Sequence, residues 1–153
     1  MIVEDNSQIP SDASAVTVAR WLSLRDAVVS ELRAVGLPAF ASCNGRTDSD
    51  GRVVGILVDV STLADEGGVQ IDWHQPDERL TPITQALEAG TAREVVESMM
   101  VRYGGVGQVL TNAAVLVLGI AGFTLEPSRR TYSALEYDVL HGPGEIELDD
   151  RHQ

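Results

Sequence analysis

The chain has no lysine. All of its 11 basic residues are arginine, set against 23 acidic ones, for a net charge of −12 over 153 residues. Arginine-only usage beside abundant Ala, Val and Gly is the pattern of GC-rich coding. Binding nucleic acid through phosphates needs clustered Arg and Lys, so this charge balance argues against it. It argues equally against an anionic membrane surface. A basic partner or a metal ion would be attracted instead. There is one cysteine, Cys43. It excludes an internal disulfide framework and suits a reducing cytoplasm, and a core thiol is its default role. The histidines are few: His74, His141 and His152 form no metal-ligand spacing such as HxxxH. The opening MIVEDNSQIP is acidic and lacks an apolar h-region, so a signal peptide is not expected and a cytoplasmic location is.

What the chain does have is a long uncharged stretch, Val106–Phe123. At 100° per residue, Val106, Val109, Leu110, Ala113, Leu116, Val117, Ile120 and Ala121 share a broad arc. Gln108, Thr111, Asn112 and Gly119 form a narrow strip with Val115 in its middle. The stretch is short for a membrane span, is interrupted by polar side chains, and has no basic anchor closer than Arg102, so it reads as a buried helix of a soluble core. Thr111, Val115 and Gly119 recur every four residues, and small residues beside Val115 permit close helix approach. They are the candidate contact of a symmetric homodimer.

The rest of the chain reads as follows. A helix from Asp12 or Ser14 to Val35 places Val18, Trp21, Leu22, Leu24, Val28, Val29, Leu32 and Val35 on one face, with Gly36 as its stop. Arg25 falls inside that apolar arc, either snorkelling from its edge or held against a carboxylate. Leu37–Cys43 reads as a short strand, and Asp50-Gly51 as a hairpin turn into Val53–Val60. The segment around Asp48–Gly51 fails the calcium-loop template, with Arg46 and Leu57 at its first and last ligand positions. The next strand alternates Val69, Ile71 and Trp73 against Gln70, Asp72 and His74. Thr81-Pro82 opens a short helix ending at Gly90, and Thr91–Glu94 is a capping box for another. Gly104-Gly105 reads as the hinge ending that helix; without a preceding strand or a P-loop Lys it is not an anion site. Strands at Phe123–Glu126 and Tyr132–Leu140 close the pattern.

Residues 12–141 thus form a single α+β domain, between a loose segment 1–11 and an acidic tail 142–153. The order α-β-β-β-α-α-α-β-β implies a mostly antiparallel five-stranded sheet with helices on one face. This order, with the small size and a pI near 4.4, is similar to the secretion-chaperone fold of small acidic dimeric adaptors. The resemblance covers element order across most of the chain and no specific motif.

With the apolar strand faces turned to the helices, the opposite face presents Asp59, Gln70, Asp72, His74, Glu136 and Asp138. Asp59, Asp72, His74, Glu136 and Asp138 are the candidate partner-binding residues, with Leu57 or Tyr132 as an apolar anchor. The expected function is that of a small, non-enzymatic interaction protein, such as an adaptor, a chaperone-like protein or an inhibitor or immunity-type protein. Its partner would be basic, and no cofactor, metal or catalytic residue is assigned. The alternative is a small hydrolase or ligand-binding protein using Asp59, Asp72 and His74.

Overall fold

A computed structural model describes residues 12–46, 54–65, 67–75, 77–128 and 136–145. The elements, in order, are α1 (Ala15–Ala34), β1 (Ala39–Cys43), β2 (Gly55–Ser61), β3 (Gly68–His74), a 3₁₀ turn (Asp77–Leu80), α2 (Thr81–Glu88), α3 (Arg93–Ile120), β4 (Thr124–Pro127) and β5 (Tyr137–His141). The class is α+β, with one five-stranded sheet in the order β1-β2-β3-β5-β4. Alternation decides which side of each strand is buried. Ile56, Val58 and Val60, then Val69 and Ile71, then Val139 point to one face and meet Leu24, Val28 and Leu32 of α1 and Ala114 and Leu118 of α3.

The sheet is mixed, not purely antiparallel, because β1 and β2 run parallel. The expected hairpin at Asp50-Gly51 therefore does not join these strands, and that dipeptide lies outside the described residues. The first reversal comes earlier, at Asn44-Gly45. Both residues have positive φ (50° and 75°), and Cys43 and Arg46 exchange backbone hydrogen bonds of 3.0 Å, the pattern of a two-residue primed turn. β1 is an edge strand, and α1 blunts it: Arg33 Nε donates to the Ala39 carbonyl at 2.8 Å and Arg25 Nη1 to the Ser42 carbonyl at 3.0 Å. Arg25 also pairs with Asp26 at 2.9 Å, which explains an arginine inside an apolar arc.

The three helices end alike. Gly36, Gly90 and Gly122 take positive φ, and Leu37, Thr91 and Phe123 donate back to Leu32, Ala86 and Leu118, closing the six-to-one bond of a Schellman stop. Their starts follow the sequence pattern at α1 and depart from it at α3. Ser14 caps α1 through its hydroxyl, but Thr91 does not cap α3, whose N-cap is Ala92. Nor does Gly104-Gly105 end a helix. α3 runs unbroken through both glycines, since Met99 and Tyr103 just before them pack beside α2, and Gly107 and Thr111 just after them pack on the sheet.

The phase of α3 corrects the sequence reading. Its buried residues are Val96, Gly107, Thr111, Ala114 and Leu118; Val106, Val109, Leu116 and Ile120 face outward. Thr111, expected on an outer strip, is fully buried; Val115 is half-buried against the core, and Gly119 is exposed. α3 is long and apolar enough by length and composition to cross a membrane, yet one side of it is committed to the sheet. Small side chains sit there because the approach is close: a Cβ at Gly107 would lie 2.8 Å from Trp73 Cγ and 3.0 Å from its Nε1. The Thr111 hydroxyl is buried without a hydrogen-bond partner. Thr111→Val, which keeps the shape and removes the stranded hydroxyl, is expected to raise stability by about 1 kcal/mol, read as a higher midpoint in urea with an unchanged slope.

Candidate functional site

The side of the sheet away from α1 and α3 is built in two rows across the strands. One runs Ser42, Asp59, Gln70, Asp138, Glu126, following the pairings Ser42↔Asp59, Asp59↔Gln70, Gln70↔Asp138 and Glu126↔Asp138. The other begins Phe40, Leu57, Asp72. Extending the β3–β5 register one step beyond Ile71↔Tyr137 brings Glu136 opposite Asp72. Ser128 completes this row, with its N–H on the Glu136 carbonyl at 3.0 Å. His74 lies beyond, its ring edge-on to Phe40 with centroids 5.7 Å apart. One end of the second row is therefore apolar and the other carries two facing carboxylates.

The carboxylates have different roles. Asp59 accepts the Ser42 hydroxyl and the Gly45 N–H, the latter at 3.0 Å, so it fastens the Asn44-Gly45 turn to β2. Glu136 accepts one hydrogen bond from Gln70 Nε2 at 3.1 Å, and the same amide nitrogen donates to Ser128 Oγ at 2.9 Å. Asp72 is half-buried. Burial pushes its carboxyl up to about 6, the facing Glu136 adds to the rise, and the Trp73 backbone N–H and His74 partly offset it. Among the described residues no arginine forms an ion pair with Asp72 or Glu136.

A carboxyl raised in the folded state stabilises the fold while it is protonated. The native chain binds more protons than the unfolded one between about pH 4 and about pH 6, so the Asp72 contribution is present below that window and lost as pH rises through it. Asp72→Asn is therefore expected to be more stable than the wild type at about pH 7.5 and equal to it below about pH 4, as followed by thermal denaturation across that range.

The structure brings Asp59, Asp72, His74, Glu136 and Asp138 onto this one face. It leaves Asp59 engaged with β1 and the turn, and pairs Asp72 most directly with Glu136. Of the expected apolar anchors, Leu57 lies on the face, and Tyr132 falls outside the described residues. Sequence reasoning missed Phe40 and Glu126. For Phe40 a signal existed: Ala39, Ala41 and Cys43 are the small residues a closely packed helix tolerates, which turns the intervening Phe40 and Ser42 to the other side. Elsewhere, Glu145 accepts from Arg20 at 3.2 Å and from the Gly142 N–H at 2.9 Å, so the start of the acidic tail is held against α1. Among the described residues no group of three or more His, Cys, Asp or Glu is placed to hold a metal ion.

Compared with known proteins, the chain matches no family model, no curated protein and no solved structure. The likeness to the secretion-chaperone fold accordingly rests on element order alone.

Proposed function

We propose that the protein is a small non-enzymatic interaction module that binds a basic segment of a protein partner across the open sheet face. The observation that carries this reading is the facing Asp72–Glu136 pair. Like charges directly opposed on a sheet are destabilising by about 0.2–1 kcal/mol; among the described residues no arginine pairs with either carboxylate, and His74 offsets the charge on Asp72 only in part. An arginine or lysine delivered by a partner would satisfy both at once and lower the Asp72 carboxyl toward its ordinary range. Leu57, half-buried next to the pair, offers apolar contact to the same ligand, which charge alone could not make specific. An adaptor, a chaperone for a basic client, or an inhibitor of a basic protein would all use such a face. The single unpaired thiol suits a cytoplasmic setting.

A second reading has one observation in its favour. A carboxyl titrating at about 6 beside His74 is poised for proton transfer, which would make Asp72 and His74 the acid–base pair of a small hydrolase, with Asp59 positioning the turn. Titration of the isotope-labelled chain with an arginine-rich peptide carrying leucine and aromatic side chains separates the two. The interaction reading expects NMR shifts concentrated at Leu57, Asp72, His74 and Glu136, weakening as salt rises. Shifts spread evenly over exposed acidic residues such as Asp26, Glu94 and Glu97 would overturn it.

A further inference from the structure

We propose that two copies of the chain associate through the outward face of α3, packed as antiparallel helices. The seam is a heptad pattern that, apart from Met99 beside α2, is not used in packing the domain: Val95, Met99, Arg102, Val106, Val109, Ala113, Leu116 and Ile120 recur at alternating spacings of four and three. Such a stripe on a single domain would normally face its own core. Here the core-facing stripe is a different one, and the seam is left in solvent, with Ile120 90% exposed, Leu116 68%, Val109 67%, Val95 50% and Val106 42%. Met99 is the exception, half-covered beside α2.

The apolar surface so exposed is roughly 500 Å² per copy, at the upper end of what a monomer carries. With its flanks it approaches the roughly 800 Å² per partner of a standard interface. From Val95 to Ile120 it extends about 38 Å along the helix.

The sequence is self-complementary in one direction. With a two-fold axis between Gly107 and Gln108, each first-type heptad position meets a second-type position of the other copy: Val95 meets Ile120, Met99 meets Leu116, and Val106 meets Val109. Arg102, the only charge in the seam, meets Ala113, which leaves room for its stem to cross and its head to reach water. A parallel pair would instead stack the two Arg102 side chains against each other. In the antiparallel pair they are about 16 Å apart, beyond the screening length of about 8–10 Å. The flank away from α2 carries Ser98, Gly105, Asn112 and Gly119, uncharged and mostly small, which lets the helices approach closely. A lipid surface is the less favoured occupant because the chain carries −12 and would be repelled by anionic headgroups.

Sedimentation velocity of the full chain from about 1 to 100 µM, a range bracketing typical transient affinities, is expected to show a dimer. Val109→Glu and Leu116→Glu should each raise the dissociation constant at least 100-fold with an unchanged circular-dichroism spectrum. Val101→Glu, equally exposed but off the seam, should leave it unaltered. Spin labels at Ile120→Cys in a Cys43→Ser background should lie roughly 38 Å apart in an antiparallel pair and about 10 Å apart in a parallel one. A monomer throughout, a dimer indifferent to both seam variants, or the short distance would each overturn the proposal. So would seam-dependent binding to phosphatidylcholine–phosphatidylglycerol vesicles by a chain that remains monomeric.

Discussion

Gly107→Ala is expected to lower the melting temperature by about 4–8 °C, although alanine is the better helix former by about 1 kcal/mol. The added Cβ would meet Trp73 Cδ1 and lie 2.8 Å from Cγ and 3.0 Å from Nε1. A rigid indole cannot swing away as a flexible chain end could, and its N–H is already buried without a hydrogen-bond partner. Overpacking of this kind costs about 3 kcal/mol, so the clash outweighs the propensity gain and leaves a net loss of about 2. Gly104→Ala is the control. Nothing lies within 4 Å of a Cβ there, so only the propensity term remains, and stability should rise by up to about 1 kcal/mol. Opposite signs for two glycine-to-alanine changes three residues apart would show that the approach of α3 to β3 is set at Gly107. Equal signs would refute the packing described for Trp73.

The same pair of glycines shows what the sequence could and could not reveal. Period-two alternation assigned the faces of β2 and β3 correctly, because Val58 and Val60 flank Asp59 and Val69 and Ile71 flank Gln70, and a one-residue slip would bury Asp59 or Asp72. Helix α1 was legible for the corresponding reason at period 3.6. In α3 the apolar residues outnumber the places in the core, so hydrophobicity could not say which arc faces the sheet. Room for the Trp73 ring decides it, and that selects Gly107, Thr111 and Ala114 over the larger Val106, Val109 and Leu116. Strand direction was illegible for another reason. The sequence pattern marked Asp50-Gly51 as the reversal, whereas the structure turns the chain at Asn44-Gly45, so the pattern implied a hairpin where the strands run parallel. On the candidate site, the carboxylates were visible one strand at a time. That Asp72 faces Glu136, while Asp59 is committed to Ser42 and Gly45, depends on register and turn geometry.

The two proposals are compatible in space. α3 lies on one side of the sheet and the Asp72–Glu136 face on the other, so a pair of copies joined through α3 would leave both acidic faces outward. A partner carrying two basic segments could then engage both, and its second contact would be intramolecular, raising avidity with no new residue involved.

Neutralising the facing pair is expected to separate stability from binding. In Asp72→Asn/Glu136→Gln the opposed charges are gone, and the amide oxygen that replaces the Glu136 carboxylate can still accept from Gln70. The fold should therefore be more stable than the wild type at about pH 7.5. Binding of the arginine-rich peptide should move the other way, weakening about 100-fold, the equivalent of about 3 kcal/mol for the loss of two close charge pairs. Wild-type affinity should fall as pH drops through about 6 and Asp72 takes up its proton, whereas the double variant should be insensitive over that range and show a shallower salt dependence. Asp59→Asn is the informative comparison. Its carboxylate is held by Ser42 and Gly45, so the change should cost about 1–3 kcal/mol of stability and leave affinity within about threefold. A double variant that binds as tightly as the wild type would place the partner surface elsewhere. An Asp59→Asn variant that loses binding without losing stability would show that Asp59, not the Asp72–Glu136 pair, meets the partner.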